Sequence, residues 1–239
     1  GLFTIPKKSM KTIGIIGGMS PESTVVYYQT INREINRRLG GNRSADIVLH
    51  SVDFEQIVAL QKAGDWAAAA ACLSESAQKL ERIGADVLLL ATNTMHKVAD
   101  EIQAAVQVPL LHLVDATAEA VKAQGLATVG LLGTQFTMSD GFYSRRMQQQ
   151  GVRTLVPSET QQAEIHRVIF DELCLGRFEA EAKAYYLDVI EDLRTQGAEG
   201  VILGCTEIGL LLKPEDCALP LFDSAEIHAH SAVDFVLQC

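Results

Sequence analysis

The sequence predicts an α/β protein made of two similar halves. Short β-branched or leucine-rich runs alternate with longer helical patterns, and several segments of the first half recur in the same order in the second. Alternation of strand and helix is typical of a parallel sheet with helical crossovers. We therefore expect two α/β domains with parallel sheets, related by a pseudo-two-fold axis, with a site in the cleft between them.

Six runs carry the strand pattern, and the segments between them carry helix signals. Ser20-Pro21 places an N-cap before a proline at the first helical position, and the alanine-rich stretch 66–82 ends near Gly84, where a helix stop is expected. The predicted strands are residues 12–16, 47–52, 86–90, 128–132, 154–156 and 200–203.

The internal repeat rests on three pairs of matching segments. A strand followed by glycine is a common pattern, but three matches in the same order at nearly equal spacing indicate a duplicated unit. For this reason two homologous halves are expected rather than one large domain. The pairs are residues 12–17 with 128–133, 84–94 with 197–207 and, more weakly, 64–66 with 176–178.

Composition and charge exclude several classes of protein. The chain has 239 residues, 48% of them hydrophobic, and a formal net charge of −10. Such a chain can bury a core, which argues against disorder, and no uninterrupted apolar run reaches the ~18–20 residues of a membrane span. Because phosphate binding needs clustered Lys and Arg, we expect neither a nucleic acid nor an anionic membrane as partner.

The five cysteines are predicted to be reduced thiols of a cytoplasmic protein. They are odd in number, show no C-x-x-C spacing and come without a secretory apolar segment. Residues 1–9, which precede Met10, are expected to be an expression tag or leader. The cysteines are Cys72, Cys174, Cys205, Cys217 and Cys239, and all except Cys205 are interpreted as small buried apolar residues.

Polar residues follow the predicted strands of both halves. Ligands of parallel α/β sheets bind at the carboxyl ends of the strands, and the repeat makes Thr92 and Cys205 equivalent positions at two such ends. If both face one cleft, they suit a reaction that removes a proton from one face of a carbon and returns one to the other. Helix N-termini and hydroxyl or amide groups would bind carboxylate oxygens there.

These segments resemble the aspartate/glutamate racemase family, the cofactor-independent amino acid racemases. The similarity extends from Met10 onward and is carried by IGIIGGMS at residues 13–20, NTMH at 93–96, GT at 133–134 and, most specifically, LGCTE at 203–207. The resemblance implies one α/β domain of residues 10–107 plus 217–239 and a second of residues 108–216. It also implies a cysteine pair, one per domain, that exchanges the α-proton without pyridoxal phosphate, so we expect no cofactor.

One position departs from the family pattern. Where the first half of the family usually has a cysteine, this chain has Thr92, whose hydroxyl is a much weaker acid than a thiol. A subgroup with this Thr/Cys pairing is associated with racemases of L-aspartate or L-glutamate, and the resemblance implies these substrates here. The resulting hypothesis is that Cys205, as thiolate, removes the α-proton and that Thr92, or a water it holds, reprotonates the other face.

Further residues are candidate substrate ligands. Most of them follow a predicted strand, where polar side chains also commonly satisfy loop backbone groups. Most lysines are simply solvated, which is the alternative for the candidate cations. His228 and His230 form an H-x-H pair that, without a convergent Cys or carboxylate set, is interpreted as structural, so no metal is expected. The candidate substrate-binding residues are Met19, Ser51, Asn93, Thr94, Thr134, Lys183, Thr206 and Glu207, with Asp53, His96 and Lys97 as further candidates.

Two other functions stay open on the sequence. A maleate-type cis–trans isomerase needs one nucleophile, Cys205, rather than two opposed proton carriers, so Thr92 does not count against it. A non-catalytic amino-acid-binding protein would bind saturably without exchanging the α-proton. The expected partner of the racemase is a small amino acid substrate, and a homodimer is left open.

Overall fold

The computed structural model describes residues 10–238, which form two compact units. The first unit comprises residues 10–92, 98–111 and 229–238, and the second comprises residues 93–97 and 112–228. The predicted leader, residues 1–9, and Cys239 lie outside the described residues. Each unit is built around its own parallel sheet.

Four strands form the sheet of the first unit: β1 (Ile13–Gly17), β2 (Ile47–Ser51), β3 (Val87–Leu90) and β4 (Leu110–Leu111). They lie parallel in the order β2-β1-β3-β4, and the central strand β1 is buried along its whole length. Gly14 of β1 permits close packing, since a Cβ there would lie 2.7 Å from Cδ2 of Leu88 and 2.8 Å from Cβ of Ala85.

Two helices of the first unit, α1 (Pro21–Leu39) and α3 (Trp66–Arg82), agree with the local signals in the sequence. Ser20 caps α1 by accepting the N–H of Ser23 (3.3 Å), and α3 spans the predicted range. Its buried residues recur at helical spacing, as expected of one apolar face. The helices are α1 (Pro21–Leu39), α2 (Phe54–Ala63), α3 (Trp66–Arg82) and α4 (Ala99–Ala104). A 3-10 helix at Thr94–Val98 precedes α4, and its residues 94–97 belong to the second unit.

The second unit repeats the arrangement of the first. Its strands are β5 (Thr128–Leu132), β6 (Arg153–Leu155), β7 (Val201–Leu203) and β8 (Leu221–Asp223), parallel in the order β6-β5-β7-β8. Gly130 occupies the position in β5 that Gly14 occupies in β1. A Cβ at Gly130 would lie 2.8 Å from Cδ1 of Leu193, so both equivalent glycines permit close packing, against Leu88 in the first half and against Leu193 in the second.

The helices of the second unit cover the sheet and lead into the strand ends. Ser158 caps α8 with a reciprocal capping box to Gln161, and Tyr186 on α9 donates to the carbonyl of Ile165 (2.8 Å). The helices are α5 (Leu113–Ala123), α6 (Gln135–Ser139), α7 (Phe142–Gln149), α8 (Glu159–Asp171), α9 (Ala180–Thr195) and α10 (Ile208–Leu211), with 3-10 helices at Leu173–Leu175 and Pro214–Asp216. The last helix, α11 (Ser224–Leu237), begins in the second unit, and its residues from 229 onward belong to the first.

The predicted α/β class with two parallel sheets is confirmed, and equivalent strands occupy equivalent places in the two sheets. The strands β4 and β8 were not predicted, because two or three residues are too few to show a pattern. β8 pairs with β7 in the second unit, whereas the expected boundary assigns residues 217–239 to the first domain. Among the described residues, no helix combines the length and apolarity needed to cross a membrane.

The cysteines differ in exposure from the sequence-based interpretation. Cys174 lies in the 3-10 helix after α8 and is exposed, so its interpretation as a buried apolar residue is wrong. Cys72 and Cys217 are partly buried. The short helix that carries Cys174 turns toward solvent, and its buried contact with the core is made by Leu173 instead.

Candidate active site

The ends of β5 and β7 approach each other closely in the second unit. The N–H of Gly204 donates to the carbonyl of Leu132 (2.7 Å). A Cβ at Gly204 would lie 2.9 Å from that carbonyl oxygen, and one at Gly133 would lie 3.2 Å from the carbonyl oxygen of Gly204. The approach therefore requires glycine at position 204 and leaves little room for a side chain at position 133, and it sets the position of the residue after Gly204, Cys205.

Cys205 forms a close pair with Glu207. The thiol Sγ lies 2.9 Å from Oε2 of Glu207 and donates to it. Glu207 lies at the N-cap position of α10, but its side chain makes no capping hydrogen bond. Its carboxylate accepts from the thiol instead. Both residues, and Thr206 between them, are partly exposed.

The pair holds its proton on sulfur in the absence of a ligand. Burial of the sulfur raises the pKa of Cys205 well above its ordinary value, and the charge and hydrogen bond of Glu207 raise it further. A neighbouring negative charge disfavours a thiolate but accepts the proton when the thiolate is stabilised from another side. The arrangement can therefore form a thiolate when a positively charged group binds next to the sulfur of Cys205.

A second thiol lies within electrostatic reach of this pair. Although much of Cys174 is exposed, partial burial of its thiol raises its pKa to about 11, and the charge of Glu207 contributes. Cys174 in turn raises the pKa of Cys205. Nothing in the sequence around Cys174 marks it as a neighbour of Cys205, because the two belong to segments that only the fold brings together.

Three threonine hydroxyls form a line beside the strand ends. Thr134 caps α6 by accepting the N–H of Thr137 (3.4 Å), and its hydroxyl donates to the hydroxyl of Thr137 (3.2 Å). Thr137 in turn lies 3.4 Å from the hydroxyl of Thr94. When each hydroxyl donates to the next, the proton of Thr94 is left to donate to a ligand. Sequence reasoning missed Thr137, although its place three residues after an N-cap threonine was a usable signal.

The turn that carries Asn93 and Thr94 belongs to the second unit and is held there by side chains. The hydroxyl of Ser224 contacts the side chain of Asn93 (3.0 Å). His96 accepts the N–H of Leu113 on Nε2 (3.3 Å), and its ring lies 5.5 Å from that of His228. His96 therefore positions the turn from a buried site. Sequence reasoning missed Ser224, because it follows β8, a strand that was not predicted.

Both candidate cations are engaged in ion pairs. Nζ of Lys97 lies 2.7 Å from Oδ2 of Asp140, and Nζ of Lys183 lies 2.8 Å from Oδ1 of Asp216. The hydrogen bond from Lys183 is the largest cause that lowers the pKa of Asp216. An ammonium group has three donors, so Lys183 can keep its contact with Asp216 and still bind a ligand.

The first unit carries the remaining candidates at its own strand ends. Thr92 follows β3 and is partly exposed, with its N–H donating to the carbonyl of Leu90 (2.9 Å). Met19 is buried, while Ser51 and Asp53 are exposed. Asp53 caps α2 by accepting the N–H of Glu55 (3.2 Å), so its carboxylate already has a structural use.

Residues 10–238 contain no group of three His, Cys, Asp or Glu side chains arranged to hold a metal ion. The second unit does contain a cavity of about 420 Å³ beside β8 and α10. It is lined by Ala120, Gln124, Leu203, Gly209, Leu212, Lys213, Pro214, Leu221, Phe222, Asp223, Glu226 and Ile227. Its wall includes Leu203 and Gly209, which flank the Cys205–Glu207 segment in the chain.

Residues 16–232 match the family described as Asp/Glu/Hydantoin racemase. The chain belongs to this family. A protein from Yersinia pestis, proposed to be an Asp/Glu racemase, has a crystal structure with a TM-score of 0.92 and 48% identity, over 96% of this chain and 100% of that one. An aspartate racemase homologue from Pyrococcus horikoshii OT3 gives a TM-score of 0.84 and 38% identity, over 95% of this chain and 99% of that one.

Among curated proteins of known name, the chain is similar to a broad specificity amino-acid racemase, RacX, of Bacillus subtilis (strain 168). The two are 25% identical over 238 residues, which is 94% of this chain and 98% of that protein. The predicted membership of the racemase family, and with it the prediction of an amino acid racemase, is confirmed. The site residues themselves stay predictions.

Proposed function

We propose that this racemase acts on an acidic amino acid, L-aspartate or L-glutamate, and that Cys205 is the base that removes the α-proton. The observation that carries the proposal is the 2.9 Å contact between Sγ of Cys205 and Oε2 of Glu207. A thiol must lose its own proton before it can take one from carbon. The carboxylate of Glu207 is an acceptor already in hydrogen-bond contact.

The ammonium group of the substrate triggers the transfer. A positive charge near sulfur stabilises the thiolate and lowers the pKa of Cys205, which burial and Glu207 otherwise raise. The thiol proton then moves to Glu207, and the α-proton of the L-isomer moves to the thiolate. The bound amino acid thus activates Cys205 as a base.

The opposite face of the α-carbon receives its proton from the side of Thr92. An aliphatic hydroxyl is too weak an acid to remain ionised, so Thr92 relays a proton that solvent replaces. Solvent also takes up the proton left on Glu207. Over one turnover Cys205 ends with the former α-proton of the substrate, the product carries a proton from solvent, and no charge accumulates.

Neutral donors are proposed to hold the α-carboxylate, and a lysine the side-chain carboxylate. The proton of Thr94 is free to donate when the line of hydroxyls from Thr134 runs toward it, and Thr206 lies beside Cys205. Lys183 keeps two further donors beyond its contact with Asp216. The name of the Pyrococcus relative supports an acidic substrate, whereas that of the Bacillus relative favours a broader range.

The test is α-proton exchange in deuterium oxide, followed by NMR with a panel of L- and D-amino acids. We expect exchange from L-aspartate or L-glutamate, reduced in Cys205→Ala by at least about 10³-fold, within the range of a lost general base. Cys217→Ala, a thiol of the same unit, is the matched control and should behave as wild type. Full exchange in Cys205→Ala would sink the assignment.

The same protein should also be assayed with maleate as the substrate. Cis–trans isomerisation without α-proton exchange would replace the proposal by an isomerase in which Cys205 is a nucleophile. Saturable binding of an amino acid with neither reaction would indicate a binding protein.

A further inference from the structure

Ser224 is a fully buried hydroxyl that helix capping does not explain. It is the first residue of α11 and has no solvent-exposed surface. A serine at the start of a helix ordinarily caps the free backbone N–H groups. In this helix Asp223 already accepts the N–H of Glu226 (3.2 Å). The hydroxyl of Ser224 is therefore available for another use.

This hydroxyl lies between two segments of the candidate site. Its Oγ is 3.0 Å from the carbonyl oxygen of Leu203 and 3.0 Å from Oδ1 of Asn93. Leu203 ends β7, two residues before Cys205, and Asn93 begins the turn that continues to Thr94. One side chain thus joins the thiol-bearing strand to that turn.

A hydroxyl has a single proton and cannot donate fully to both oxygens. The Leu203 carbonyl can only accept, whereas an asparagine amide can present either its oxygen or its nitrogen, which have nearly the same shape. All three groups are satisfied when Ser224 donates to Leu203 and the Asn93 amide is rotated so that its nitrogen donates to Ser224. The amide oxygen of Asn93 then faces away from Ser224.

We propose that Ser224 is a positioning residue that holds Asn93 with its amide oxygen as an acceptor for the substrate ammonium group. An ammonium group has donors only, so it needs an oxygen from the protein, and an amide turned the other way would oppose it with N–H groups. The inference rests on the proposed function, because it assigns a ligand of the same site. Ser224 acts through Asn93 and does not itself touch the substrate.

The kinetic test is a double-mutant cycle between Ser224→Ala and Asn93→Ala. We expect Ser224→Ala to lower kcat/KM for the L-substrate about fivefold, mainly through KM, as for one hydrogen bond of ordinary strength. In the Asn93→Ala background the same change should cost about twofold or less, because the group that it positions is already gone. Equal losses in both backgrounds would overturn the proposal.

Thr117→Val is the matched control for packing. Thr117 is fully buried in the same unit, and its hydroxyl donates to the carbonyl of Leu113 in its own helix (2.8 Å). The buried hydroxyl of Tyr143 lies close to both Thr117 and Ser224, so Thr117→Val disturbs the same buried cluster. It leaves the contact between Ser224 and Asn93 in place, and KM should stay at the wild-type value. A rise in KM equal to that of Ser224→Ala would show a structural effect and would count against the proposal.

A second measurement does not depend on activity. The side-chain amide signals of Asn93, assigned by their loss in Asn93→Asp, should include one slowly exchanging proton bonded to Ser224. Its exchange with solvent should become about tenfold faster in Ser224→Ala. Unchanged exchange overturns the proposal even if the wild type racemises amino acids. Changed exchange in a protein that exchanges no α-proton refutes the proposed function while leaving the contact between Ser224 and Asn93 established.

Discussion

The two strand ends that the repeat makes equivalent carry different chemistry. The end of β7 holds a thiol and a carboxylate 2.9 Å apart, in Cys205 and Glu207. The end of β3 holds Thr92, and the position equivalent to Glu207 is Thr94. Hydroxyls can relay protons, but they do not take them from carbon near neutral pH. Equal backbone architecture in two halves therefore does not bring equal acid–base capacity.

The two ends also differ in what holds them. The turn after β7 stays within the unit of its own strand, whereas residues 93–97, which follow β3, cluster with the second unit. Asn93 contacts Ser224, and His96 accepts from Leu113. The second unit thus contains both the Cys205–Glu207 pair and the residues that hold the turn with the first-half polar residues.

Among the changes that compare the two strand ends, the largest effect is expected from making the ends alike. Thr92→Cys gives the first half a thiol, and exchange of the D-isomer α-proton should rise about 10²-fold. Thr92→Ala removes the relay, and conversion of L- to D-isomer should fall by a similar factor while exchange with retention of the L-isomer persists. Thr92→Ser, which keeps a hydroxyl, is the control. Wild-type racemisation by Thr92→Ala would contradict the asymmetry.

A smaller effect is expected from removing the carboxylate that distinguishes the β7 end. Glu207→Gln should slow α-proton exchange about 100-fold or less, since the amide oxygen of glutamine accepts a hydrogen bond but cannot take up the thiol proton. The charge that raises the pKa of Cys205 is lost as well, so the pKa falls and alkylation of Cys205 by iodoacetamide at fixed pH should become faster. Glu215→Gln, at an exposed position, should change neither rate. Slower alkylation in Glu207→Gln would contradict the assigned electrostatics.

The backbone of the two ends should differ in its tolerance of a methyl group. Gly204→Ala should lower the free energy of unfolding by about 2 kcal/mol, because its Cβ would lie 2.9 Å from the Leu132 carbonyl oxygen. At the equivalent position of the first half, Ala91→Gly removes a buried methyl group and should cost only about 1 kcal/mol. Urea unfolding measures both. Equal stability of Gly204→Ala and wild type would show that the strand ends are not closely packed.

The smallest expected effect is a difference in how one titrating group from each unit makes the free energy of unfolding depend on pH. Burial, and then the charge of Arg146, lowers the pKa of His112 in the second unit from 6.5 to about 4. The unfolded chain takes up this proton first, so stability present above pH 6.5 is lost as the pH falls toward 4. His112→Asn keeps an acceptor for the cap of α5 and should flatten this loss by on the order of 1 kcal/mol.

Glu34 of the first unit is compared with His112 because its contribution to stability is lost in a lower pH range. Its hydrogen bonds with Arg37 and then Arg38 lower its pKa from 4.5 to about 2, so its contribution is present above pH 4.5 and is lost only below that value. Glu34→Gln should therefore leave the slope between pH 6.5 and 4.5 unchanged. An unaltered slope in His112→Asn would contradict the assignment to His112.

Much of the fold was predictable because its signals are local. The six predicted strands appear within one or two residues of their expected ends, α1 starts at its predicted cap, and α3 spans its predicted range. The strands β4 and β8 were not predicted, because they are too short to show a hydrophobic period. Ser224, which follows β8, was not predicted either, since no local signal marks this serine as the partner of Asn93, 131 positions away.

The sequence by itself determined the α/β class, the duplication, the family and the unequal pair of Thr92 and Cys205, because periodicity, repeats and residue identity are written along the chain. Only the tertiary structure decided which side chains share protons and charges. It paired Cys205 with Glu207, tied Lys97 and Lys183 to aspartates, and placed Ser224 against Asn93. Several of these contacts join segments far apart in the chain, and their strength depends on burial that the complete fold creates.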